Sequence, residues 1–358
     1  MSVLAFSIVC PTYEGEKKLA ALIDCLDSNF ENVTNYPEII FVVDNSSDSS
    51  QDLLDKYKKN HPEKKIIVHN NETNLGPAES RNIGVKLSSG AVILFLDDDC
   101  RPNPTWYTDF SSAWSRAASD IQGIGGFVIP TEQETFNGKY CAAFSPIKPW
   151  PLSPDNISVM EKLKNYYYTP NPVTHGVSYL AGANMSFKKE AFTKVGGFTP
   201  SLRIAEDIAI CKNLRNNFGD NCLTVIDSLS IPHEFTESFM NTVRRSYRYG
   251  LGSGKNYWTG NGAFSLNPGP VLVVGSIVLS FVFSSITTSS TSESLVYSSV
   301  FLLFELLFYA LLVTRDNSMK LLSFVQRFTL GFAFLICEFA NNIGFISDIR
   351  FLFSSRRK

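Results

Sequence analysis

Short apolar runs and stretches of helical spacing alternate through residues 1–100. "AFSIVCPTY" predicts a first strand ending near Pro11. In "KKLAALIDCLDSN" the apolar residues Leu19, Leu22, Ile23 and Leu26 recur at the spacing of one helix face. "EIIFVVDNSSDSS" predicts a second strand running into an Asx or Ser turn, which also suits the N-cap of a helix over "QDLLDKYKKN". A third strand, "KKIIVHN", a helix over "GPAESRNIGVKLSSG" closed by Gly90, and a fourth strand, "AVILFL", complete the series. This alternation predicts an α/β fold: a Rossmann-like, mostly parallel sheet with helices on both faces.

In an open sheet of that kind the ligand crevice lies beyond the carboxyl ends of the strands. Asp44 ends the second predicted strand, and Asp97, Asp98 and Asp99 end the fourth, so the acids are expected on one rim. Aspartate is a poor strand former and adjacent like charges repel, so three aspartates closing an apolar strand need a reason. A hard divalent cation supplies one, since Mg2+ commonly takes one or two carboxylates and fills its shell with phosphate oxygens and water. One aspartate would then turn back toward the sheet and two toward the ligand. An acidic turn capping the helix after Pro104 is the competing explanation.

Residues 130–177 are rich in Pro, Tyr and Asn with weak periodicity, and predict a loop-rich insertion over the rim. "GVSYLAGANMSFKKEAFTKVGGF" and "RIAEDIAICKNLRNNFGD" then predict a strand, a turn and two helices, and "SIPHEF" a further short strand. The organisation expected is an α/β domain over 1–235, a basic and aromatic interfacial segment over 236–268, and a strongly apolar region over 269–358.

No charged residue occurs from Asn256 to Ser292. Apolar blocks at about 269–287 and 295–313 approach or reach the length that spans a bilayer. Arg244, Arg245, Arg248 and Lys255 precede the first block, and Arg315 and Lys320 follow the second. The positive-inside rule therefore predicts a hairpin with both outer ends cytoplasmic: a multi-pass protein of the cell membrane with its catalytic domain in the cytoplasm. Glu305, inside the second block, runs against this, because a midplane acid costs about 3 kcal/mol. A third apolar segment, about 328–347, carries Glu338, Asn341 and Asn342 and is expected to be re-entrant or interfacial rather than a third span. The N-terminus lacks a basic n-region and a small-residue cleavage site and is expected to be the first strand rather than a signal peptide.

The formal net charge of -2 gives no sign of a nucleic-acid partner. Seven cysteines without a CxxC pair suggest neither a disulfide framework nor a zinc site.

"SIVCPTYE", "VVDNSSDSS", "NLGPAESRNIGVKLSSGAVILFLDDDCRPNPTW", "LAGANMSFKKEAFTKVGGF" and "AEDIAICKNL" follow in this order. Together they resemble the inverting family 2 glycosyltransferases, which have the GT-A fold, over roughly residues 4–250. The resemblance implies that Pro11, Thr12, Tyr13 and Glu14 line the nucleotide site and that Asp44 accepts hydrogen bonds from the base, usually uracil. It implies that Arg81, with Asn82 beside it, bonds the base or orients the metal acids. Asp97 and Asp99 match the family's DxD pair, with Asp99 on a Mg2+ or Mn2+ ion, Asp97 on the ribose or the metal, and Asp98 between them at the donor site. Gly182, Ala183 and Asn184 match the turn under the donor sugar. Glu206 and Asp207 match the base motif, with Asp207 as general base and Glu206 as its neighbour on acceptor or donor sugar; acids complementing a helix dipole are the plainer alternative. His233 matches a histidine near the diphosphate or metal. Arg245 and Arg248 resemble the basic segment that closes over the diphosphate in membrane-associated members, and also suit anionic lipid headgroups. The QxxRW pattern of processive members is absent, which argues against a long-chain polymer synthase.

The function expected is transfer of a sugar from a nucleotide-sugar, UDP-linked by preference, to a lipid-linked or polysaccharide-precursor acceptor at the cytoplasmic face of the bilayer. A polyprenyl-phosphate glycosyltransferase is the near alternative. A nucleotidyltransferase would need a glycine-rich basic loop where "CPTYEGEKK" stands. A non-catalytic GT-A binding protein would have no reason to keep Asp97, Asp99, Glu206 and Asp207 together.

Overall fold

The computed structural model of the chain describes residues 4–31, 33, 36–131, 135–144, 177–234, 238–258, 266–267 and 323–347, with scattered positions between 270 and 307. It divides into two compact units, the first built from residues 1–133, 145–152 and 172–236, the second from 134–144, 153–171 and 237–358.

The first unit is a seven-stranded sheet in the order β3-β2-β1-β4-β7-β5-β8. Strands β1 (Phe6–Thr12), β2 (Glu38–Val43), β3 (Ile66–Asn70) and β4 (Val92–Leu96) run parallel. Helices α1 (Glu16–Phe30), α2 (Ser50–Asn60), α3 (Pro77–Leu87) and α4 (Trp106–Arg116) lie between or after them. Every residue of β2 and β4 is buried, as expected for parallel strands covered on both faces. On one face Val9, Ile93 and Phe95 meet Val85 of α3, and Phe95 packs edge-on against Phe198. Leu19, Leu22 and Leu26 of α1 are buried, as their spacing predicts. Helix α3 stops at Leu87, three residues short of the Gly90 expected to close it, because Ser88 is already extended.

Strand β7 (Asn184–Lys188) is antiparallel to both β4 and β5 (Gly123–Gly125), and β8 (Leu223–Val225) is parallel to β5. This reversal positions the site. In the register Leu96↔Asn184 the end of β4 faces the start of β7, so the 180–184 turn comes to the rim that carries Asp97. Helix α6 (Lys189–Lys194) follows β7, and α7 (Glu206–Phe218) comes next. A small second sheet pairs β6 (Val128–Pro130) with β9 (Ile231–His233).

In the second unit, α5 (Phe136–Phe144), α8 (Phe239–Trp258) and α9 (Phe324–Ser347) pack together. Most of the expected insertion over 130–177 and of the two blocks at 269–287 and 295–313 lies outside the described residues. The third apolar segment belongs to one continuous helix of 24 residues, about 36 Å at 1.5 Å per residue. It is long and apolar enough to cross a membrane by length and composition, and 56% of its most apolar stretch is buried inside the protein. The polar residues that argued against a span have partners. Asn342 exchanges two hydrogen bonds with the Asn267 main chain, at 2.7 and 2.9 Å, and Asn341 Nδ2 donates to Ser246 O at 3.2 Å.

Helices α8 and α9 approach so closely that a Cβ on Gly250 would overlap the Asn341 carbonyl oxygen, and one on Gly344 would overlap that of Tyr247. Backbone carbonyls within regular helices cannot move aside, which is how small residues set a close crossing. Gly344→Val should therefore lower stability by about 1–3 kcal/mol or more. Thermal unfolding checks it, and an unchanged midpoint would refute the contact.

Candidate active site

The parallel register brings the last residues of β1, β2 and β4 to one edge, and the loops that follow build the site. Thr12, Asp44 and Asp97 are neighbours there, with Asp44 N bonded to Thr12 O at 2.8 Å. Among the described residues, the non-glycine positions with positive φ are Glu14, Asn45 and Ala205, and all three lie in these loops or in the one entering α7. Such conformations cost about 1 kcal/mol each for L-residues, and their gathering at one rim marks a place where chain direction matters more than local comfort.

The three aspartates divide as expected, one inward and two outward. Asp98 is buried, its Oδ2 accepting from the Thr12 hydroxyl at 2.6 Å, and burial pushes its carboxyl up to about 6. Asp97 and Asp99 keep 28% and 20% of their side chains exposed. Asp97 Oδ1 accepts from Arg81 Nη2 at 2.7 Å. Asp99 Oδ1 lies 3.0 Å from His233 Nε2, and Asp99 Oδ2 lies 3.2 Å from Lys18 Nζ. Burial would raise the Asp99 carboxyl, but the hydrogen bond and charge of His233 and the Lys18 ammonium outweigh it and hold it well below the usual range. His233 reaches Asp99 because β9 runs beside residues 99–101: Arg101 N donates to Pro232 O, and Glu234 N to Asp99 O.

Arg81 is the hinge of the site. It is buried on α3, and its second nitrogen, Nη1, donates to Glu206 Oε1 at 2.7 Å. One guanidinium thus joins the triple aspartate to the acid pair at the start of α7. Its ring partner Phe198 lies 5.8 Å away and is held in turn by Asn82, which exchanges two bonds with the Phe198 main chain. Of the two roles expected for Arg81, orienting the acids is the one its contacts serve.

Asp207, half-buried, accepts from Gly182 N at 3.1 Å and from Ile208 N at 2.8 Å. Burial, then the neighbouring Glu206 carboxylate, push it up to about 7. A carboxyl poised there changes charge near neutral pH, the property wanted of a general base. Glu206 is turned into the protein onto Arg81, so its expected contact with a sugar gives way to holding the motif together.

Other expected residues fall on both sides. Pro11, Thr12, Tyr13, Asp44, Arg81 and Asp97–Asp99 line one cleft of about 400 Å³, together with Asn74, Gly76 and Arg203. Asp44 accepts from Asn71 Nδ2, Leu75 N and Gly76 N, each at 2.8 Å, so it also shapes the entry to α3. Glu14 turns away to bond Ser47. A Cβ on Gly182 would meet Arg81 and Asp207 only at ordinary contact distance, 3.5 Å. Ala183 is buried, its carbonyl accepting from the Cys100 thiol. Asn184 is withdrawn from the donor site: it is fully buried, taking Trp106 Nε1 at 3.0 Å and donating to Phe127 O and Leu229 O. Arg245 and Arg248 belong to α8, in the second unit.

The residues present fit a divalent cation. Two cis ligand atoms on an octahedral metal at 2.0–2.1 Å lie about 3 Å apart, and Asp99 Oδ1 and His233 Nε2 are 3.0 Å apart. Asp97, Asp98, Asp99 and Glu206 outnumber the groups bonded to them that can carry positive charge, Arg81, Lys18 and His233, which leaves negative charge to neutralise. Cys100 lies in the same cluster, buried, with its thiol donating to Ala183 O at 3.5 Å.

A "Mannosyltransferase PcManGT from Pyrobaculum calidifontis in complex with GDP-Man and Mn2+" superposes with a TM-score of 0.57 over 95% of this chain and 87% of its own, at 12% identity, which establishes a shared GT-A fold. An "Uncharacterized glycosyltransferase" of Haemophilus influenzae is 29% identical over 205 residues, 56% of this chain and 58% of that protein. The "Glucosyl-dolichyl phosphate glucuronosyltransferase" of Haloferax volcanii is 24% identical over 199 residues, 54% of this chain and 55% of that one. The chain thus spans little more than half the length of these two curated relatives. The family model "Glycosyl transferase family 2" matches residues 7–196, more than half of the sequence and the part that carries Asp44, Arg81 and the three aspartates, and the chain belongs to that family.

Proposed function

We propose that this glycosyltransferase is metal-dependent and inverting, and that it moves a sugar from a nucleotide-sugar, UDP-linked by preference, to a lipid-linked or polysaccharide-precursor acceptor at the cytoplasmic face of a membrane. The observation that carries the reading is the Arg81 bridge: one buried guanidinium spaces Asp97 from Glu206, and so fixes the triple aspartate relative to Asp207. Donor chemistry and acceptor chemistry need that fixed separation, because inversion places the base opposite the departing diphosphate.

Asp44 and residues 11–13 hold the nucleotide, with the Tyr13 ring, 53% exposed, free to cover the base. Asp99 and His233 hold the cation, with Asp97 beside them. When bound, the cation neutralises the diphosphate and stabilises it as it leaves. The cation is Mg2+ or Mn2+. Asp207 takes the proton from the acceptor hydroxyl. Arg245 and Arg248 serve anionic headgroups, and the apolar C-terminal segments anchor the chain as a multi-pass protein. The name of the Haloferax relative, and that of a "Poly(ribitol-phosphate) beta-glucosyltransferase" of Bacillus spizizenii, 36% identical over 96 residues (27% of this chain and 15% of that one), support a lipid-linked or polymeric acceptor.

Titrating UDP into the protein by calorimetry, with and without Mn2+, tests the donor half, and binding indifferent to the metal would sink it. A screen of nucleotide-sugars for UDP or GDP release then identifies the donor.

A further inference from the structure

Lys18, on the first turn of α1, has its ammonium 3.2 Å from Asp99 Oδ2 and 3.5 Å from Asp98 Oδ1. The other oxygen of each carboxylate has a partner set by the sheets: Thr12 for Asp98, His233 for Asp99. Lys18 is different in kind. Its side chain is 36% exposed and rides on a flexible four-carbon stem. It therefore occupies the outer side of Asp99, next to the pair that suits a divalent cation. An ammonium and a divalent cation on one carboxylate repel each other strongly in a half-buried site.

We propose that Lys18 is a resident counter-cation that competes with the divalent ion for Asp99 and passes to the donor's diphosphate when ion and nucleotide bind together, so coupling the two binding events. The inference rests on the reading of Asp99 and His233 as the ion's ligands. Without nucleotide, the ammonium lets Asp98 and Asp99 stand side by side. An ion arriving alone must drive that ammonium into water, and its affinity falls. An ion arriving with a diphosphate brings anionic oxygens, and the displaced ammonium pairs with them. The lysine thus weakens binding of the bare ion and strengthens binding of the pair, and the coupling is reciprocal by linkage. Arg81 cannot do the same, because it is buried and tied to two acids.

Calorimetry on the full chain, with Mn2+ alone and with Mn2+ at saturating UDP, measures both terms. Lys18→Gln should bind Mn2+ alone about tenfold tighter, the low end of what an adjacent charge does to a carboxylate's affinity for a proton. The factor by which UDP tightens Mn2+ should fall by a similar amount. Lys18→Arg keeps the charge and should stay near the native values, which separates the effect from damage to α1. Unchanged or weaker binding of bare Mn2+ by Lys18→Gln, or an unchanged UDP factor, overturns the proposal. If the native chain binds no Mn2+ even with UDP, the metal reading fails and takes this inference with it; if native binding is normal and Lys18→Gln has no effect, the inference fails alone.

Discussion

Replacing Asp99 by asparagine should reduce transfer by at least about 10²-fold, the scale on which loss of one preorganised electrostatic contributor is felt. The carboxylate serves two neighbours at once, His233 through Oδ1 and Lys18 through Oδ2. An asparagine has one acceptor oxygen and no charge, so it cannot serve both, and the Asp99–His233 pair no longer fits a cation. Stability at neutral pH should also fall, since His233 and Lys18 hold this carboxylate well below its usual range and that favourable charge is lost, while Asp98 remains beside Lys18. Asp98→Asn is the informative contrast. That side chain is buried under the Thr12 hydroxyl and faces inward. The amide keeps an acceptor for the Thr12 hydroxyl and removes a charge that burial disfavours, so the melting temperature should change little and activity per folded molecule should be less affected than in Asp99→Asn. Turnover and melting temperature measured on both variants separate the roles, and near-normal turnover in Asp99→Asn would remove the metal assignment.

The placements legible in the sequence are those whose signal is local. An apolar strand followed at once by aspartates marks a strand end, and in a parallel sheet all such ends share a rim, so Asp44 and Asp97–Asp99 could be placed together from the sequence alone. Strands β5, β6 and β8 could not be read, because three residues are too few to show a period. The reversed direction of β7 was equally hidden: pairing direction depends on partners far along the chain. Asn184 was placed under the donor sugar on its motif. Its amide instead joins Trp106, Phe127 and Leu229, contacts spread over long sequence separations that no local pattern records. Lys18 was missed for a related reason. In "EGEKKLAAL" it looks like an ordinary solvated helix charge beside Glu16 and Lys17, and what singles it out is the end of a strand eighty residues later. Arg203 was missed likewise; its guanidinium bonds Asn74 at the mouth of the cleft, from a loop with no periodicity.

Asp207→Asn should keep donor binding and lose transfer, because the site divides its labour. The groups fitted to the ion and the diphosphate stand on the loop after β4 and on β9, whereas Asp207 opens α7 and touches the main chain at Gly182 and Ile208. In the proposed role of Asp207 the substitution removes proton acceptance, a contribution of about 10²–10⁴-fold, without removing a proposed ligand of the cation. UDP affinity in Mn2+ should therefore shift little while turnover falls steeply. The native enzyme should also show an ascending limb near pH 7. The Asp207 carboxyl is pushed up to about 7, so the base form required for attack is lost as pH falls through that value. In Asp207→Asn this limb should vanish from the residual rate. A residue that merely began the helix would behave otherwise. Its loss would cost about 1 kcal/mol, and activity would follow the amount of folded protein. The folded state predicts even less of a stability loss here: asparagine keeps one of the two main-chain hydrogen bonds, and it relieves the repulsion between Asp207 and Glu206. Melting temperature, UDP affinity and the pH profile of turnover on one preparation distinguish these outcomes. Turnover that survives in proportion to folded protein would take Asp207 out of the chemistry, and Glu206, already committed to Arg81, would be poorly placed to replace it.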